Sequence, residues 1–149
     1  MVERYFEDFA PGQVYVSGRL HVDRDRIKSF AREFDPQPFH LDEQAARGST
    51  FEGLAASGWH TAAMTMRLLV ASDLKPAGGL VGAGIDDLRW LYPVRPGDEL
   101  RVVSEVLDVQ PSKSRPDQGV VKLKSTTSNQ HGKPVQILTA DLIVKRRPT

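Results

Sequence analysis

Cysteine is missing from all 149 residues, which removes thiolate nucleophiles, disulfides and thiolate metal sites together and suits a reducing compartment. Long apolar runs are missing too: nowhere do about 18 such residues stand together, so no membrane-spanning helix is expected. Nor is there an excess of charge of one sign. The 20 Lys and Arg oppose 19 Asp and Glu for a formal net charge of +1. The basic residues are also spread along the chain, which argues against nucleic acid as a partner. The stretch Met1 to Asp8 has neither the basic start nor the apolar core of a secretory signal, and the expected location is the cytoplasm.

Other chemistries fall away by spacing. The histidines His21, His40, His60 and His131 show no metal-ligand pattern, so no metal is expected. Gly82 and Gly84 are followed by Asp87 where a dinucleotide fingerprint needs its third glycine. Ser57 lies between Ala56 and Gly58 without the Gly-x-Ser-x-Gly frame of a nucleophile elbow.

What remains is an ordinary globular balance, 40% hydrophobic and 26% charged, at a length that suits one domain over residues 1–149. Gln13 to Val22 alternates as a strand should. Asp23 is placed to cap a helix through Phe34, with Ile27, Phe30, Ala31 and Phe34 on one face and Asp35-Pro36 as its stop. Asp42 to Arg47 forms a short helix within an otherwise irregular stretch. From Gly58 to Ala71 helical spacing returns, and the stripe Trp59, Ala62, Ala63, Met66, Leu69 and Val70 predicts the core face of the most apolar helix. Four strands follow, Leu80 to Leu91, Glu99 to Val109, Val120 to Ser128 and Val135 to Val144. Arg95 to Asp98 and Gln130 to Lys133 read as hairpin turns, and Pro111 to Gly119 as a longer charged loop. The fold class is α+β: an antiparallel sheet wrapped around the apolar helix. The basic end, Lys145 to Arg147, reads as solvated.

One stretch carries chemistry. Asp35-Pro36-Gln37-Pro38-Phe39-His40 sets a carboxylate and an imidazole on a proline-braced segment, two groups suited to sharing proton transfer with a bound water. By spacing alone, a helix-ending Asp35 and an ordinary loop His40 explain the segment more simply.

The same residues, Phe34 to His40 with Ala46 following, resemble the signature segment of the MaoC-like dehydratase and (R)-specific enoyl-CoA hydratase family. Ala56-Ser57-Gly58-Trp59 resembles that family's small-residue helix start. The resemblance runs from about Phe30 to Val144 and implies a single hotdog domain, a homodimer and an acyl-CoA thioester as substrate. It implies no cofactor beyond the CoA that the substrate carries. The implied activity is that of a hydro-lyase, with Asp35 and His40 holding one water that adds across the C2–C3 bond of an enoyl-CoA, or leaves in reverse. Gly58, at the positive end of its helix, would offer its N–H to the thioester oxygen; the alternative for this glycine is close packing of Trp59 and Ala62. Ser57 is expected to cap the helix through the His60 N–H, and Trp59 to sit in the core.

Gln37 replaces a usual asparagine, Ser57 a frequent histidine, and Ala63 a serine that helps orient the pair, so Gln37 and Ser57 are counted with the substrate-binding shell. Arg89, Lys113 and Arg115 are the expected contacts for the CoA phosphates, or else solvated surface charges. The hotdog scaffold also supports acyl-CoA hydrolysis and noncatalytic acyl-thioester binding, which stand as the alternatives.

Overall fold

The computed structural model describes residues 2–149. A one-turn 3-10 helix at Phe6–Asp8 precedes strand β1 (Val14–His21) and helix α1 (Arg24–Phe34). Asp23 caps α1 as expected, its carboxylate accepting the Arg26 N–H at 3.2 Å. Two short helices follow, α2 (Pro38–Leu41) and α3 (Glu43–Arg47), then α4 (Gly58–Ala71) and strands β2 (Val81–Trp90), β3 (Glu99–Pro111), β4 (Gln118–Ser128) and β5 (Pro134–Lys145). The strands form one antiparallel sheet in the order β1-β3-β4-β5-β2. Alternation sends Leu100, Val102 and Val106 of β3, and Val121 and Leu123 of β4, inward to a core shared with Val22 and Ile27. α4 lies across β1 and β3 inside the curved sheet, which is the hotdog arrangement.

Two turn signals proved local. Asn129 to Lys133 does close the β4–β5 hairpin, with Gly132 at φ +75°. Arg95 to Asp98 makes an equally good turn, Asp98 N–H donating to the Arg95 carbonyl at 3.1 Å, but it joins β2 to β3, which are not neighbours. β3 instead starts opposite His21 of β1. Turn chemistry sets the bend, whereas the sheet chooses the partner.

The expected core stripe of α4 needs the larger correction. Of its members Leu69 is buried, Ala62 half-buried, and Trp59, Ala63, Met66 and Val70 exposed. The buried residues are Thr61, Met64, Thr65, Leu68 and Leu69, with His60 stacked on Phe30 of α1. Thr65 can lie among them because its partners are built into the strands. Thr65 Oγ1 meets Thr127 Oγ1 at 2.7 Å and accepts from Gln136 Nε2 at 3.2 Å, and all three residues are fully buried. Thr65→Val keeps the shape but strands two buried partners, and is expected to cost about 1–3 kcal/mol in urea unfolding. A change within error would show that water reaches them.

α1 likewise buries Ile27 and Ala31 but leaves Phe34 exposed. The basic end is not free. Arg146 pairs with Glu7 at 2.9 Å, the Arg147 N–H donates to Glu7 at 2.8 Å, and Arg147 reaches Asp8 at 2.6 Å. The Arg147 N–H first, and then the Arg146 guanidinium, hold the Glu7 carboxyl down to about 2. This clasp is therefore complete above the ordinary carboxylate range and loosens only as pH falls toward 2.

Candidate functional site

α1 ends where the sequence placed its stop. Asp35 leaves helical geometry (φ −153°) while its N–H still reaches the Ala31 carbonyl at 2.9 Å, so its side chain projects from the helix end. Pro38 then occupies the first position of α2, where a missing N–H costs nothing, and His40 falls within that single turn. The sequence segment read as a loop is thus a proline-started turn of helix. It carries His40 back to face Asp35, with Nε2 3.4 Å from Asp35 Oδ2.

The other ring nitrogen is fixed by the main chain. His40 Nδ1 lies 2.6 Å from the Ala55 carbonyl, and since a carbonyl only accepts, Nδ1 carries a proton and donates it. Phe39 meets the ring edge-on at 4.7 Å, and the residue is 3% exposed. Ala55 is itself held by its N–H to the Phe39 carbonyl and by the next residue, Ala56, donating to Val94. Arg95 fastens the same loop through the carbonyls of Phe51 and Leu54. Sequence reading saw Arg95 only as part of a turn; nothing local marks it as a brace.

Asp35 is set for a negative charge. Burial works to raise its carboxyl, but the Ser57 hydroxyl, the Gln37 amide and, in its protonated form, the facing His40 outweigh that and hold it below its ordinary value. Gln37 Nε2 donates to Asp35 Oδ1. Ser57, fully buried, caps α4 by accepting the Trp59 N–H at 3.2 Å rather than that of His60, whose N–H goes to the Ser57 carbonyl. A carboxyl depressed in this way contributes stability above its unfolded value, which is lost as pH falls through the folded one. Ser57→Ala is expected to move the Asp35 titration upward toward the ordinary value in a carboxyl-carbon NMR series. An unmoved midpoint would remove the hydroxyl from this account.

Asp35, Gln37, His40 and Gly58 line one cavity of about 540 Å³ with Phe39, Phe51, Trp59, Trp90 and Tyr92. Trp59 is 59% exposed and packs edge-to-face on Trp90 at 5.1 Å, so it belongs to the cavity wall and not to the core. Among the described residues the Gly58 N–H has no acceptor. A Cβ at Gly58 would come within 2.5 Å of the Trp90 ring, so the close packing the glycine permits is with Trp90, not with Trp59 or Ala62. Ala63 faces away, into a separate groove with Phe30 and His60, so a hydroxyl at that position would not reach the pair in this chain.

Arg89 pairs with Asp87 at 3.1 Å and does not line the cavity. Lys113 and Arg115 lie in the β3–β4 loop, beside Gln118, which pairs with Lys145, whereas the cavity adjoins the Ser128–Pro134 end of the same ladder. A strand length of roughly 33 Å separates them, so within one chain they do not reach it. Among the described residues no group of three or more His, Asp or Glu is placed to hold a metal.

The family model described as the MaoC like domain matches residues 8–129. The chain belongs to that family. Among its relatives, the Bacillus subtilis protein YdeM is 35% identical over 93% of this chain and 95% of its own. The crystal structure of a MaoC-like dehydratase from Rhodospirillum rubrum is 57% identical with a TM-score of 0.94, covering 98% of this chain and 99% of that one. The R-hydratase PhaJ1 from Pseudomonas aeruginosa is 25% identical with a TM-score of 0.76, over 96% and 86%. The MaoC-like match therefore spans both the Asp35–His40 turn and the start of α4.

Proposed function

We propose that this chain is a hydro-lyase acting on enoyl-CoA or 3-hydroxyacyl-CoA thioesters through Asp35, His40 and Gly58. The observation that carries the reading is the 2.6 Å contact of His40 Nδ1 with the Ala55 carbonyl, which sets the tautomer. With Nδ1–H given to the Ala55 carbonyl, a neutral ring turns an Nε2 lone pair toward the Asp35 carboxylate 3.4 Å away. Two facing acceptors suit a water that donates one hydrogen to each, and a water so held has its oxygen directed outward as a nucleophile.

In the hydration direction that oxygen bonds to C3, the C2–C3 π electrons move toward the thioester carbonyl, and the oxygen there gains charge. The free Gly58 N–H, at the N-terminus of a 14-residue helix, is suited to receive it. A proton reaches C2 and the pair returns to its starting state. Dehydration is the same path reversed, with Asp35 and His40 handling the protons as one unit. Gln37 and Ser57 serve by keeping the Asp35 charge in place. The naming of related structures as a dehydratase and a hydratase supports the same reaction class.

A homodimer fits the surface. β2 is an edge strand that exposes Val81 and Ile85, and α4 exposes Trp59, Met66 and Val70 above it. A free edge joined to an apolar patch calls for a partner. Pairing two β2 edges about a two-fold would run them antiparallel, and the β3–β4 loop of a second copy would then lie toward the end of the sheet where this chain's cavity opens. That arrangement supports a role for Lys113 and Arg115 of that loop toward CoA phosphates that a single chain denies them.

The test is loss of the conjugated-thioester absorbance on incubation with trans-2-enoyl-CoAs, with 3-hydroxyacyl-CoA identified as product. Thiol release in its place would make the protein a thioesterase, and absence of both across the series would refute turnover.

A further inference from the structure

Beside the site lies a second cavity of about 470 Å³, almost wholly apolar, between α4 and the β5–β2 part of the sheet. The two are collinear. Along α4 the site cavity touches Gly58, Trp59 and Thr61, and the apolar one touches Met66 and Leu69. Along β5 the first touches Val135 and the second Leu138 and Ala140; along β2 the first touches Trp90 and the second Gly82 to Ile85. On α4 and β5 the space between is held by Thr65 and Gln136, and these connect to Trp90 in the wall of the site cavity on β2. Trp90 Nε1 donates to Gln136 Oε1 at 2.9 Å, Gln136 Nε2 donates to Thr65 Oγ1 at 3.2 Å, and Thr65 meets Thr127 at 2.7 Å.

We propose that this Trp90–Gln136–Thr65 partition is the specificity-determining element of the site and restricts the substrate to short acyl groups. The inference rests on the thioester reading. An acyl chain growing away from C3 has the second cavity as its apolar continuation. To enter it, the chain would have to part Gln136 from Trp90 and Thr65, leaving buried amide and hydroxyl groups against methylenes with no hydrogen-bond partner. The indole cannot simply yield, because one end is tied to Gln136 and its ring lies against Gly58.

The experiment is a kcat/KM series on trans-2-enoyl-CoAs from butenoyl to dodecenoyl, for wild type and Gln136→Ala. Wild type is expected to work best on butenoyl and hexenoyl and to gain nothing from longer chains. Gln136→Ala removes the middle of the partition and is expected to raise decenoyl relative to butenoyl by roughly tenfold or more. A wild-type profile that climbs about fourfold per methylene through decenoyl, as continuous apolar burial would give, overturns the proposal. So does a folded Gln136→Ala with the wild-type profile. If that variant does not fold, the wild-type series decides alone. If wild type turns over no enoyl-CoA, the hydration reading fails, and calorimetry with butyryl-CoA against decanoyl-CoA still decides the chain limit: tighter decanoyl binding refutes it and weaker decanoyl binding supports it.

Discussion

Asp35→Asn is expected to lower kcat/KM for enoyl-CoA hydration by roughly 10²–10⁴-fold, the range of a lost general acid–base partner. The substitution is close to isosteric, so the effect is chemical. It removes the acceptor for one water hydrogen. It also places an amide opposite His40 Nε2, where an N–H can donate to the very lone pair the water needs. The fold should survive, because Asp35 ends α1 through its backbone N–H, which asparagine keeps. Steady-state kinetics with circular dichroism on the same preparation checks both halves. Activity within about threefold of wild type would remove Asp35 from the reaction.

Gly58→Ala keeps the backbone N–H but sets a methyl beside it that hinders the close approach of an oxygen, and is expected to cost up to about 10²–10³-fold in kcat, the loss typical when an oxyanion donor can no longer be used. A Cβ there meets the Trp90 ring, so the indole must swing and give up Gln136, which adds destabilisation of about 1–3 kcal/mol by overpacking. The two causes separate in a double variant. Trp90→Ala leaves room for the methyl, so if Gly58 matters only for packing, Gly58→Ala in that background changes nothing further. If the N–H must approach an oxygen closely, kcat falls again.

How much of this the residues announced depends on the kind of interaction. Strands and the α1 boundaries were legible because Asp23, Asp35-Pro36 and the alternating valines act locally. The Asp35–His40 pair was legible as a pair of residue types, but not as a geometry. Its facing arrangement comes from Pro38 starting a turn of helix and from Ala55 lying in range of Nδ1. The buried face of α4 was misread because Thr61 and Thr65 look unfit for a core until Thr127 and Gln136, 62 and 71 residues away, are seen to meet Thr65. The same blindness hid Trp90, whose position over Gly58 depends on a contact between β2 and the head of α4. The exposed stripe Trp59, Met66 and Val70 is apolar without being core, a difference that helical spacing does not reveal.

The group that fixes the proton on His40 is a main-chain carbonyl, and every amino acid supplies one. A side-chain scan at residue 55 would therefore pass over it, since truncation leaves the acceptor standing. Sequence drift at that position is tolerated so far as the new side chain fits a fully buried place. What evolution must preserve is the path of the loop, which depends on Arg95 and on the Ala56 N–H bond to Val94. The tautomer of His40 is thus inherited through contour and not through any one side chain.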